Sequence, residues 1–362
     1  MKEDGIHYNL DKLDKENCLF NLIYGAKSKG KSYQLKHKKA VEYYLKTGKR
    51  FILLRRWKDE VTTSKVEGYF SDVDIEKLTD GRYNTIIAWR GAIYFGFFDV
   101  ENFKKVKGEK IGYYIALSQE QNYSSVSFLD VDNIIFEEFM SRTLYIAKEP
   151  DKLMMFYDTV DRKRGTTRLW LLGNTVSRVC PYLGSWNLRS TMLKQNAGDI
   201  DVIEIKNSNN SIKFGIELTS KPQEKSYAIG DSDKMVGSGD WLTNIQPHLD
   251  ESLKHYRTVL HIVFVYQDFK FLARLLVNNN SGTLNWFICP KYSDIKPKTL
   301  VVGLIKEGMY YNKNIYNLNK RINPKLRDLI DKTFCESNIF YSTDLCGTDF
   351  KQCIDFMIKK VR

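Results

Sequence analysis

No stretch of the 362-residue chain approaches the run of about 18 apolar residues that a membrane-crossing helix requires. The opening segment, Met1-Lys-Glu-Asp-Gly-Ile-His7, lacks the apolar centre of a secretory leader. Both features lead to the expectation of a cytoplasmic protein with no membrane partner. Cysteine is sparse: six residues, at 18, 180, 289, 335, 346 and 353, none in a C-x-x-C pair. That usage argues against a disulfide framework or a thiolate metal site, and only five histidines are available to help ligate a metal. Reduced structural thiols are the simpler reading. No internal repeat and no low-complexity tract is visible.

Acidic residues are outnumbered by basic ones. The formal charge is +12 and the pI is near 9.1. Residues 251–362 hold 18 Lys/Arg against 10 Asp/Glu, so less than a third of the chain carries two thirds of the excess. A polyanionic partner for that part and a solubilising surface both fit this bias. Hydrophobic residues at 43% and aromatics at 13% are enough for full cores, which excludes a disordered chain, and the length suggests two domains.

What the chain does have is Gly25-Ala26-Lys27-Ser28-Lys29-Gly30-Lys31-Ser32, directly after the apolar run Leu19-Phe-Asn-Leu-Ile-Tyr24. This is G-x-x-x-x-G-K-S at the end of an expected buried strand and the start of an expected helix. The two glycines let backbone wrap a phosphate chain, and the helix start aims unpaired N–H groups at the anion. Lys31 would neutralise the terminal phosphates and Ser32 would hold Mg²⁺. A Gly-rich basic turn without a ligand is the plainer alternative.

Residues 31–47 have helical spacing on Leu35, Ala40, Val41, Tyr44 and Leu45, with Gly48 as the stop. Strands are expected at 51–54, 110–117, 133–136, 168–172 and 202–205, a hairpin at 85–98 turning near Arg90-Gly91, and a helix at 148–160. Alternating apolar strands and helices predict an α/β domain with a mostly parallel sheet over 1–206. Residues 207–250 read as a connecting segment. Over 251–362, strands at 258–266, 269–277 and 283–289 with helices at 325–334 and 350–361 predict a small α+β domain.

An apolar strand ending in Glu137-Glu138 places two carboxylates at a carboxyl-terminal edge, where open α/β sheets bind ligands. Glu137 is the candidate for Mg²⁺ through water and Glu138 for polarising an attacking water; two acids capping a following helix is the alternative. Asn174, after the next strand, is either a γ-phosphate sensor or a turn residue. Arg55, Arg56, Arg162, Arg164 and Arg178 are all candidates for a transition-state cation, or plain surface charges.

Together, Phe20–Tyr33, Phe51–Lys58, Ile134–Phe139, Asp158–Arg164 and Asn174–Tyr182 resemble the DNA-packaging ATPases (encapsidation proteins) of small podovirus-type, picovirus-like phages. The resemblance is strong over 20–182 and weaker beyond, mainly over 258–275. It implies a P-loop NTPase of the ring-motor class with an additional-strand catalytic Glu, ATP and Mg²⁺ as ligands, and a homo-pentameric ring. That ring would work in the host cytoplasm, transiently at a procapsid portal vertex, on double-stranded DNA. It further implies Arg162 as the residue lent to a neighbour's ATP, and a C-terminal fold of RNase H type without its cutting acids. Some members use a packaging RNA. The family commonly has Asp where this chain has Glu137. In the C-terminal part, Asp268 reads as a hairpin-turn residue rather than a nuclease acid. A helicase-like P-loop ATPase, a small-molecule P-loop kinase and a non-catalytic DNA-binding scaffold are the competing classes.

Overall fold

The computed structural model describes residues 8–27, 30–99, 101–102, 104–141, 145–206, 210–219, 241, 243–249, 252–267, 269–293, 295, 300–304 and 324–359. The chain divides into two units, Met1–Leu242 and Thr243–Arg362.

Among the described residues, the first unit is built on nine strands: β1 (Phe20–Tyr24), β2 (Arg50–Arg55), β3 (Thr85–Trp89), β4 (Ala92–Asp99), β5 (Lys104–Ala116), β6 (Val131–Glu137), β7 (Arg168–Leu172), β8 (Ile200–Lys206) and β9 (Ser211–Leu218). Their spatial order is β3-β4-β5-β2-β6-β7-β1-β9-β8. Neighbours from β5 through β9 run parallel, and the two outer hairpins are antiparallel. The apolar runs of the central strands are what burial on both faces requires. Their alternation sends Phe20, Leu22, Ile134, Phe136, Leu169 and Leu171 into one core, and Ile23, Leu53, Ile135, Trp170 and Leu172 into the other. Trp170 donates its indole N–H to Asn133 Oδ1 at 2.9 Å, and Asn21, buried in mid-β1, donates its amide to Cys18 O at 3.0 Å.

The first core is closed by the helix Glu149–Asp161 through Leu153, Phe156 and Val160. The second is closed by the helical run Lys31–Gln34, Leu35–Val41 and Glu42–Thr47, which ends at Gly48 in the left-handed region (φ 71°). Its middle segment is π-helical. Leu35, Ala40 and Val41 still fall on the buried face, which is why simple helical periodicity located the helix without revealing the wide turn. The β3–β4 hairpin turns at Arg90 and Gly91, both with positive φ (46° and 80°), as a two-residue hairpin turn requires. Helices Thr63–Tyr69 and Ile75–Leu78 were not anticipated from the sequence.

The expected connector at 207–250 needs correction. Ser211–Leu218 is β9, a full member of the sheet in parallel register with β1. Residues 243–249 pack within the second unit: Asn244 N–H donates to Thr348 Oγ1 (3.0 Å) and Gln246 N–H to Asp344 Oδ1 (2.8 Å). The division therefore falls at 242/243 rather than at 206 and 250.

The second unit has β10 (Tyr256–Tyr266), β11 (Phe269–Asn278), β12 (Leu284–Pro290), β13 (Leu300–Leu304) and β14 (Asn338–Tyr341), ordered β13-β10-β11-β12-β14. The antiparallel meander β10-β11-β12 matches the expectation; the parallel edge strands β13 and β14 were missed. Helices Pro324–Glu336 and Asp344–Lys359 accompany the sheet. Trp286 is fully buried, stacks on Phe334 at 4.3 Å and donates to Thr333 Oγ1. Asp268 lies outside the described residues. Among the described residues no helix is long and apolar enough to cross a membrane.

Glu217 of β9 stands beside Ile23 of β1, is 6% exposed, and accepts a 2.7 Å bond from the Tyr8 hydroxyl. Burial pushes its carboxyl up to about 7, against the smaller opposing pulls of Tyr8 and Lys12. The native state thus keeps a proton that the unfolded chain has released, and stability declines as pH rises from about 4.5 to about 7. Glu217→Gln is expected to be more stable than the parent by on the order of 2 kcal/mol at pH 8 and indistinguishable at pH 4. Urea midpoints at the two pH values check this.

Candidate functional site

At the carboxyl edge of the parallel strands, the turn after β1, the helix at Lys31, the end of β6 and the end of β7 enclose a cleft of about 300 Å³. Lys27, Gly30, Lys31, Ser32, Lys36, Asp72, Glu137, Glu138 and Asn174 line it, with Tyr33, Leu172 and Gly173. The sequence motifs at 25–32, 137–138 and 174 therefore converge. Ser28 and Lys29 lie outside the described residues.

Two backbone constraints shape the turn. Gly30 adopts φ 82° immediately before the helix. Gly25 has φ 139°, and a Cβ there would sit 2.2 Å from Thr219 Oγ1. A side chain at 25 thus meets both strain and collision. The turn is tied to its neighbours by backbone bonds: Gly173 N–H to Ile23 O (2.9 Å), Thr175 N–H to Gly25 O (3.3 Å) and Thr219 N–H to Tyr24 O (2.9 Å). Lys31, only 6% exposed, folds its ammonium onto the Ala26 carbonyl across the turn.

Glu137 ends β6 and is 6% exposed. Ser32 donates its hydroxyl to Oε2 at 3.0 Å and Tyr69 donates to Oε1 at 2.6 Å, so both carboxylate oxygens are oriented. Desolvation raises its pKa, opposed by the Tyr69 bond, the Arg55 charge and the Ser32 bond. Glu138 differs in every respect. Its backbone is left-handed (φ 58°), which breaks the strand and turns the side chain outward. Its carboxylate is exposed and paired with Arg55 at 3.1 Å. Arg55 also approaches Glu60 at 3.6 Å.

Arg56 is an internal strut. It is 3% exposed and makes two bonds to Glu149, at 2.7 and 2.9 Å. It also donates to the carbonyls of Glu138 (3.1 Å) and Phe139 (2.9 Å). Glu149 takes a further bond from the Tyr182 hydroxyl (2.8 Å). This network fixes the backbone that carries Glu138. Arg164 is likewise structural, reaching the carbonyls of Leu129 and Val131 at 2.9 Å. Arg162 caps the helix Glu149–Asp161 with φ 47° and donates to Val126 O at 3.2 Å. Val126 precedes β6 and Glu137 ends it, so about 20 Å of strand separates Arg162 from its own chain's cleft.

Sequence reasoning missed Tyr69, the Lys36–Asp72 ion pair beside it, and the Arg56–Glu149–Tyr182 network. Only the Arg55-Arg56 doublet was a signal, and it did not distinguish a mobile cation from a buried strut.

Sheet and cleft together define a mixed α/β protein whose glycine-flanked turn and paired acids meet at the carboxyl edge of a mostly parallel sheet. The chain belongs to the Podovirus DNA encapsidation protein (Gp16) family, whose model matches residues 2–332. It is 32% identical over 210 residues to the "DNA packaging protein" of Bacillus phage phi29, covering 57% of this chain and 58% of that protein. It is 31% identical over 194 residues to the same-named protein of Bacillus phage B103, covering 52% and 55%. The chain thus spans less than two thirds of the length of these curated relatives. Among solved structures, a chain of the bacteriophage Phi-29 viral genome packaging motor assembly matches with TM-score 0.58 and 22% identity, over 97% of this chain and 99% of that one. This last likeness is one of fold.

Removing the charge of Glu149 leaves the Arg56 guanidinium buried without its counter-ion. Glu149→Gln is expected to lower unfolding free energy by about 3 kcal/mol, read from denaturant melts.

Proposed function

We propose that the chain is the ATP-hydrolysing subunit of a ring motor that drives double-stranded DNA into a phage procapsid. The observation that carries this reading is the meeting of Ser32 and Glu137, 3.0 Å apart, at the mouth of a turn that presents Lys31. A phosphate-gripping turn joined to an oriented strand-end carboxylate is the arrangement that nucleotide hydrolysis needs and anion binding alone does not. The family and the relatives named as DNA packaging proteins support DNA as the polymer moved.

ATP would lie along 25–32, with its phosphates on the turn N–H groups and Lys31 drawn from the Ala26 carbonyl to the anion. The hard oxygens of Ser32 and Glu137 fit Mg²⁺, with Glu137 acting directly or through water. When bound, the ion would offset charge on the triphosphate. The longer Glu, where the family commonly has Asp, is held back by Tyr69, which leaves Oε2 toward Ser32. Glu138, exposed at the cleft, would orient the attacking water once it parts from Arg55, and Asn174 would sense the γ-phosphate. Arg162, on the opposite edge of the sheet, would serve a neighbouring copy. Pocket on one edge and cation on the other make a head-to-tail contact, which closes into rings. A pentamer at the portal, a packaging RNA and an RNase H-type second unit without cutting activity belong to the same proposal.

Glu138→Gln is expected to retain ATP binding and lose turnover by a factor of about 100 or more, in assays with and without duplex DNA. Normal hydrolysis in that variant would remove Glu138 from the mechanism, and phosphate transfer to a metabolite instead of water would identify a kinase. Mixing Arg162→Ala subunits with Lys31→Ala subunits is expected to recover activity that neither has alone. Absence of recovery at every mixing ratio would place Arg162 outside a neighbour's site.

A further inference from the structure

The β3-β4-β5 end of the first sheet carries a surface that the proposed nucleotide chemistry does not use. On the face opposite the Ile86–Ile93–Ile111 core, these three strands present Trp89, Tyr94 and Tyr113 among Arg90, Lys107 and Lys110. Trp89 is 43% exposed, and Tyr94 and Tyr113 are half-buried. The Lys107 ammonium lies 3.4 Å from the centre of the Trp89 ring and 5.4 Å from that of Tyr94. Arg90 lies 4.5 Å over Trp89 and Lys110 3.8 Å over Tyr113.

The register shows how this face is assembled. Lys107, Lys110 and Tyr113 are spaced by three, so a regular strand would point them alternately to opposite faces. Two bulges intervene, between the positions facing Ile93 and Tyr94 and again between those facing Tyr94 and Gly96. Each bulge resets the alternation and returns the next residue to the same side. Trp89, Ala92 and Tyr113 then form one row across the three strands, with Trp89 and Tyr113 about 10 Å apart. Ala92 between them keeps the floor low there, while the space over Gly96, four positions further along β4, is filled by the Ile87 side chain. Nearby acids are engaged elsewhere: Asp130, close to Lys110, is paired with Arg50, which also donates to the Lys110 carbonyl. Glu109 meets Tyr44 and Tyr83 on the other face, and Glu67 at the β3 edge is held by Lys105 (2.7 Å) and the Ala88 N–H (3.1 Å).

We propose that this face binds an unpaired stretch of DNA. Cations interleaved with half-exposed aromatic rings suit a chain whose phosphates run past Arg90, Lys107 and Lys110 while its bases displace those cations and stack on Trp89, Tyr94 and Tyr113. A duplex hides the base faces, so the aromatic floor would contribute nothing to binding it. The choice of DNA over RNA rests on the proposed function; the stacking chemistry does not.

The test is fluorescence anisotropy with a labelled oligothymidylate of about twenty nucleotides, a duplex of equal length and an oligouridylate, without added nucleotide. Trp89→Ala is expected to weaken oligothymidylate binding at least about fivefold, Trp89→Phe to restore most of it, and Lys107→Glu to weaken it while flattening its salt dependence. Duplex binding is expected to be insensitive to Trp89→Ala. Melting temperatures equal to the parent's establish that the variants fold. The proposal is overturned by unchanged oligothymidylate binding in both Trp89→Ala and Lys107→Glu, or by a parallel loss of duplex binding in Trp89→Ala. Tighter binding of oligouridylate, lost in the same variants, would reassign the surface to RNA and leave the motor reading intact.

Discussion

Register is the constraint on which the site depends. Leu172, the last residue of β7, stands beside Ile23 of β1 on one flank and Glu137 of β6 on the other. Three strands that end at one level deliver the glycine turn, the acid pair and the Asn174 loop to a common rim. A slip of one residue in any of them would send its apolar side chains to the wrong core. Because Trp170 and Leu171 face opposite cores, packing on both sides of the sheet enforces the alignment that brings these residues to one rim.

Within that frame, two adjacent glutamates receive opposite surroundings. Glu137 is the last residue in extended conformation and is enclosed by Ser32 and Tyr69. Glu138 is the first residue out of it, in the left-handed region, and meets solvent and Arg55. The backbone that makes this change of direction is held by Arg56, whose charge is in turn neutralised by Glu149. The cost of burying that ion pair is offset by hydrogen bonds to every side of it.

The parts legible in the sequence were those whose signal is local. The turn at 25–32 has its own pattern, and the strands expected at 51–54, 133–136 and 168–172 are short, largely apolar runs with boundaries good to a residue or two, whereas β5 starts six residues before the expected 110. The Arg90-Gly91 turn follows from backbone sterics. Most of what escaped was set by distant partners. Ser211–Leu218 alternates polar and apolar residues, a local strand signal that was passed over beside the Asn207–Ser211 turn cluster; its register with β1 is decided across nearly 200 residues. Tyr69 reaches Glu137 from 68 positions away and Arg56 reaches Glu149 from 93. Asn338–Tyr341 is four residues long, too short for periodicity to register. The position of Arg162 relative to the cleft was likewise invisible, because it depends on which edge of the sheet a helix returns to.

The contact between Thr219 and the glycine turn has a mechanical meaning. Thr219, the residue just after β9, has its N–H fastened to the Tyr24 carbonyl and its hydroxyl against Gly25. A load applied along β9 would reach the turn through main chain and one hydrogen bond, with no flexible side chain in series to absorb it. A shift of the outer ribbon would thus bear directly on the turn.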